Sequence, residues 1–146
     1  MLPHPERETP TIKQMVSDPE IEKIAVQVAI AHEQTCGWSV ESVEDENRGY
    51  DLLSKRPHQT EPGVFVVVRF IEVKGRSGVG EVALTAHEYR TAQRLGADYW
   101  LYVVFDCATE PNLKLIQNPA KLGWEAVVKI EHYHVSAKAI LDAALE

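Results

Sequence analysis

The sequence predicts an α/β fold in which helices flank a mixed β-sheet. Three observations carry that prediction. An Asp-Pro helix start leads into apolar residues at helical spacing. Two runs rich in β-branched and aromatic residues lie at Val64–Val73 and Tyr99–Phe105. A capped helix sits between those runs.

Residues 1–17 contain three prolines and no apolar run, and they read as a flexible lead-in to a single domain over 18–146. Asp18 can accept from the free amides of a helix whose first residue, Pro19, has no amide to lose. Ile21, Ile24, Ala25, Val28 and His32 then follow helical spacing as far as the stop at Gly37. Trp38–Val43 alternates with period two and reads as a half-buried strand, followed by a turn at Asn47-Arg48-Gly49. Tyr50–Ser54 gives a second strand, and Arg56–Gly63 has the composition of a hairpin loop. Val64–Val73, nearly continuous in apolar character, belongs at the centre of the sheet.

Gly75–Gly80 turns the chain, and Glu81–Leu84 adds an optional short strand. Thr85 and Glu88 have the spacing of a capping box for a helix over Ala86–Leu95, which Gly96 ends. Tyr99–Phe105 and Leu113–Gln117 complete the strands, with Asn118-Pro119 ending the second. Ser136 caps a last amphipathic helix, Ala137–Leu145, with Ile140, Leu141 and Ala144 expected on its inner face.

A chain of 146 residues, 45% of them hydrophobic, has room for one core. Its longest apolar run, Tyr99–Phe105, is far shorter than the roughly 20 residues that a membrane-spanning helix needs. No signal or transit peptide is recognisable, so a cytoplasmic location is expected. Cys36 and Cys107 have no partner pattern and read as ordinary buried or half-buried thiols. The net charge of −7 lies entirely in residues 1–46, and the remainder balances. A surface for nucleic acid would therefore be a local patch, drawn from Arg48, Lys55, Arg56, Lys74, Arg76, Arg90 and Arg94, with Tyr89 and Gln93 beside them on the second helix.

Glu72 and Lys74 stand two residues apart near the end of an apolar strand, so they share a face. Burying that pair requires an offsetting partner such as a metal, a phosphate or a salt bridge. Asp51 supplies a second carboxylate from the preceding strand. Two facing carboxylates repel unless a cation joins them, and Mg2+ (or Mn2+) suits a site of one or two carboxylates with room for water and a phosphate oxygen. The carbonyl of Val73 would add a further oxygen. A local Glu72–Lys74 ion pair remains the alternative. Glu22 and Glu33 lie on one flank of the first helix about three turns apart, so only one of them reaches a given metal.

Gly49-Tyr50-Asp51, Ile71-Glu72-Val73-Lys74-Gly75, Leu84-Thr85 with Glu88, and Tyr99–Val104 occur in an order that resembles the Protein NO VEIN C-terminal family, over about residues 20 to 118. That family resembles a branch of the PD-(D/E)XK, restriction-endonuclease-like nuclease superfamily and is found beside helicase modules in restriction or defence-type proteins. The resemblance implies Asp51 and Glu72 as metal ligands, Lys74 as the catalytic lysine, and Glu22 as the accessory acid of the first helix. Glu33 then reads as part of a solvated helix face. Tyr50 occupies the position that the superfamily signature gives to proline.

Other signals are set aside. Gly75–Gly80 lacks the Lys-Ser/Thr ending of a phosphate-binding loop, His132 and His134 lack a third ligand nearby, and no GxSxG element is present. The expected function is hydrolysis of DNA phosphodiesters, with RNA and a dimeric state left open. The alternative is a catalytically inactive module of the same fold that binds DNA or a partner protein.

Overall fold

The computed structural model describes residues 18–127 and 133–145. The proposed lead-in over 1–17 and His132 of the His132/His134 pair lie outside the described residues. The elements are α1 (Pro19–Thr35), β1 (Ser39–Ser42), β2 (Leu52–Pro57), β3 (Phe65–Gly75), α2 (Ala86–Leu95), β4 (Tyr99–Phe105), β5 (Asn112–Gln117) and α3 (Ala137–Ala143). The strands form one sheet in the order β1-β2-β3-β4-β5. β3 and β4 run parallel, and the other neighbours run antiparallel. This is the mixed α/β sheet expected, with β3 at its centre.

Local chemistry sets both main helices. The Asp18 side chain accepts from Ile21 N–H at 3.3 Å ahead of Pro19. The Thr85 hydroxyl accepts from Glu88 N–H at 3.1 Å, while the Glu88 carboxylate accepts from Thr85 N–H at 2.9 Å. Gly96, at φ +55° and ψ −123°, takes a positive-φ conformation open mainly to glycine and ends α2.

Alternation along the strands divides the side chains between two faces. Leu52, Ile71, Val73, Tyr102 and Val104 pack with Ala25, Val26 and Ala29 beneath α1. Each of the leucine, isoleucine and valine side chains contributes about 1.5–3 kcal/mol on burial. Tyr99, Leu101 and Val103 are buried on the opposite face, and α2 lies against β4 with Thr91 and Ala92 buried.

Several expectations are corrected. The inward stripe of α1 is Ala25, Val26, Ala29 and Glu33, whereas Ile24 is 37% exposed and His32 lies at the margin of the stripe. The helix settles on its small residues because Gly75 lets it approach β3 closely. A Cβ at Gly75 would stand 2.8 Å from Ala25 Cβ and 2.9 Å from the Ile21 carbonyl oxygen. Glu81–Leu84 is irregular and adds no strand. The first half of β3, Phe65–Val67, is exposed, because there it pairs with β2 alone, beyond the start of β4. α3 ends at Ala143 and has no buried residue. Ile140 and Leu141 are exposed, since this two-turn helix has no layer against its apolar side among the described residues. Cys107 is buried, but Cys36 is exposed beyond the end of α1.

Candidate functional site

The end of β3 carries the predicted residues. Glu72 and Lys74 share a face, and Lys74 Nζ lies 3.1 Å from Glu72 Oε2. Glu72 is 2% exposed. Its other oxygen, Oε1, is buried and has no hydrogen-bond partner. Burial holds the Glu72 carboxyl well above the ordinary carboxylate range, Lys74 opposes that shift, and Asp51 and Glu88 add to it.

Asp51 occupies a bend just before β2 rather than a regular strand position. Its N–H donates to Ile71 O and its carbonyl accepts from Val43 N–H, both at 2.8 Å, so the residue bonds to the chain on either side. Gly49, at φ +86°, leads into that bend, and its carbonyl accepts from the buried Tyr99 hydroxyl at 2.7 Å. A side chain at Gly49 would collide with Thr91 of α2. Held in this way, Asp51 Oδ2 accepts the Val73 N–H at 2.8 Å. Burial raises the Asp51 carboxyl, this backbone bond, the adjoining Glu72 carboxyl and Lys74 lower it again, and Glu88 adds to the rise. In a strand the N–H and C=O of one residue point to the same edge. The Val73 carbonyl is therefore directed to the side on which Asp51 lies.

Glu22 reaches the same charges from the first turn of α1. Burial pushes its carboxyl up to about 7, Lys74 counteracts that, and Asp51, Glu44 and Glu88 reinforce it. Lys74 shows the reverse balance. Burial, the largest influence, works against its charge, but Glu72 and Glu88 together outweigh burial and hold the ammonium above its ordinary range.

Glu88 is the residue that sequence reasoning assigned only to a helix cap. Its Oε1 lies 3.0 Å from Lys74 Nζ, so it belongs to the cluster as well. Its spacing from Thr85 was visible, but the bond to a lysine fourteen positions earlier was not.

Glu33 is the opposite case. It is wholly buried rather than solvated. Arg69 Nη1 donates to both of its oxygens at 3.2 and 3.3 Å, and the Tyr102 hydroxyl donates at 2.8 Å. The Arg69 guanidinium lies between the rings of Trp38 and Trp100, 4.1 and 4.4 Å from their centroids. This second polar network sits under α1, about 16 Å along the helix from Glu22.

The basic candidates do not form one patch. Arg48 stands in the turn before Asp51 and pairs with Glu46 at 2.6 Å. Arg76 follows Lys74 by two residues, and its guanidinium packs beside Gly80. Arg90, Gln93 and Arg94 share the exposed side of α2. Lys55 lies over the Phe65 ring, about 13 Å along β2 from Asp51. Among the described residues no three His, Cys, Asp or Glu side chains are gathered closely enough to hold a metal by themselves.

An α/β domain with buried acids and a lysine at one end of its central strand is the class that fold and cluster define. The family model described as Protein NO VEIN, C-terminal, matches residues 21–116, and the chain belongs to that family. Glu22, Asp51, Glu72, Lys74 and Glu88 all lie within the match. No curated protein and no solved structure matches the chain.

Proposed function

We propose that this domain is a metal-dependent, nuclease-like module of the PD-(D/E)XK, restriction-endonuclease-like type, which hydrolyses DNA phosphodiesters as part of a helicase-linked processing or defence protein. One observation carries the reading. At the buried end of β3, Glu72 keeps an unpartnered oxygen beside Asp51, with the Lys74 ammonium alongside. Two buried carboxyls in contact retain a proton unless a cation takes its place, and the unsatisfied Glu72 oxygen suits such a cation.

Asp51, Glu72 and the Val73 carbonyl would hold Mg2+ or Mn2+, with Glu22 as accessory ligand and waters filling the remaining positions, as magnesium prefers. When bound, the ion would lower the pKa of a water and offset charge on the phosphate. The chain's own part is positional. The Val73 N–H fixes the Asp51 carboxylate. Lys74 presents a fixed positive charge to a phosphate oxygen or to the attacking water. Arg48 and Arg76 flank the acids in sequence and are the first choices for backbone phosphates. Arg90, Gln93 and Arg94 offer a second contact line on α2, and Lys55 a more distant one.

The test is incubation of the purified protein with plasmid and single-stranded DNA, in Mg2+ or Mn2+, beside Asp51→Ala and Lys74→Ala. Cleavage abolished in both variants is the expected result. Lack of cleavage across metals and substrates, with no heat of divalent-cation binding, would overturn the enzyme reading.

A second reading has its own support, since Lys74 is already paired with two carboxylates inside the cluster. In it the domain is a non-catalytic module that grips DNA, and the acids form a structural polar cluster. Salt-dependent DNA affinity that survives Glu72→Ala would favour it, because phosphate contacts from arginines need no metal.

A further inference from the structure

The Lys74 ammonium is held from two sides. Glu72 reaches it along its own strand at 3.1 Å, and Glu88 reaches it from α2 at 3.0 Å. The Glu88 oxygen that accepts from Lys74 also accepts the Thr85 N–H at 2.9 Å. That atom is therefore fixed to the backbone at the start of α2, and the lysine is fixed to it. All three side chains of the clamp are largely withdrawn from water, with 2% exposure for Glu72, 13% for Lys74 and 17% for Glu88.

A lysine carries its charge on a flexible four-carbon stem, and without anchors the ammonium would sample many positions. An ammonium has three donors. Two are taken by the clamp, and one remains for an incoming oxygen. Capping by itself does not require an acid at position 88, because glutamine completes a capping box as well as glutamate does. The negative charge is needed only by the lysine. Were Glu72 to turn its charge toward a divalent ion, Glu88 would be the anion left to keep the ammonium in place.

We infer that Glu88 is a positioning residue, whose carboxylate fixes the Lys74 ammonium at the end of β3 so that its remaining N–H faces a phosphate oxygen of the substrate. The inference rests on the nuclease reading for the identity of that oxygen, but not for the clamp.

The experiment compares the full chain with Glu88→Gln and Thr85→Ala. Glu88→Gln keeps the cap and removes the charge, whereas Thr85→Ala weakens the cap and keeps the charge. Two readouts are taken. In DNA cleavage with Mg2+, Glu88→Gln is expected to lower kcat by about a hundredfold at unchanged KM, the scale of a misplaced catalytic group, while Thr85→Ala lowers melting temperature and spares kcat. In amine-selective acetylation read peptide by peptide, without DNA or metal, Lys74 is expected to become several-fold more reactive in Glu88→Gln alone. Wild-type kcat in Glu88→Gln, or a change confined to KM, overturns the inference, and so does unchanged Lys74 reactivity. If the parent protein cleaves nothing, the nuclease reading falls, and the acetylation result by itself sustains or overturns the clamp.

Discussion

The carboxylate of Asp51 accepts the backbone N–H of Val73 at 2.8 Å, at the point where β2 no longer supplies β3 with a ladder partner. Aspartate here completes the backbone bonding of the central strand and places a negative charge beside Glu72. These two roles are separable. Asp51→Asn keeps an acceptor for Val73 N–H, a bond worth about 1 kcal/mol, and removes the charge. Its unfolding free energy in urea without divalent cations should stay within about that amount of the parent value. Any rise in melting temperature that Mg2+ or Mn2+ gives the parent should disappear in Asp51→Asn, as should DNA cleavage.

Glu22 makes stability depend on pH. Its carboxyl lies at about 7 in the fold against an ordinary value of 4.5. Below pH 4.5 both the folded and the unfolded chain carry the proton, and this group contributes nothing. Between 4.5 and about 7 the unfolded chain releases its proton while the folded chain retains it, so stability falls as pH rises. Above about 7 the loss is complete. Urea titrations at pH 5 and pH 8 should show a smaller drop for Glu22→Gln than for the parent. An equal drop in both would show that Glu22 is not a source of the dependence.

Much of the fold was legible because its causes are local. The limits of α2 follow from Thr85, Glu88 and Gly96, which lie within twelve residues of one another. β4 was legible from end to end because seven consecutive apolar residues admit few other roles. The pairing of Glu72 with Lys74 followed from period two alone. What failed to show in the sequence depends on distant partners. Glu33 looked like a solvated helix acid because Arg69 and Tyr102 lie 36 and 69 positions away. Glu88 had a sufficient local explanation as a cap, which concealed its bond to Lys74. The inward side of α1 shifted from Ile24 toward the alanines because a glycine on another element, Gly75, admits the helix so closely.

Gly75→Ala tests that contact. The added methyl would meet Ala25 Cβ at 2.8 Å and the Ile21 carbonyl oxygen at 2.9 Å, and backbone on one side cannot rotate away. Over-packing of this kind is expected to lower stability by about 1–3 kcal/mol. Hydrogen exchange should localise the change to the first two turns of α1, which carry Glu22. Exchange in α1 identical to that of the parent would contradict the described contact.

Arg69→Met should be among the more damaging substitutions. It leaves Glu33 wholly buried with the Tyr102 hydroxyl but without its cation. Removing one member of a buried pair costs about 3–5 kcal/mol. Adding Glu33→Gln in the same chain should restore part of the loss, because the stranded charge is then gone. Urea midpoints of the parent, the two single variants and the double variant measure that coupling, and strictly additive losses would show that the two side chains act independently.

Drawing Glu22, Asp51, Glu72 and Glu88 around the one ammonium of Lys74 concentrates negative charge that an unfolded chain would spread from residue 22 to residue 88. Folding compresses this excess into one end of the sheet, where the acids repel one another. Ionic strength therefore acts on the molecule unevenly. Sodium chloride shortens the reach of exposed charges to about 8 Å at physiological concentration but screens buried ones much less, so the crowding at that end of the sheet answers to protons taken up by the acids rather than to dissolved salt.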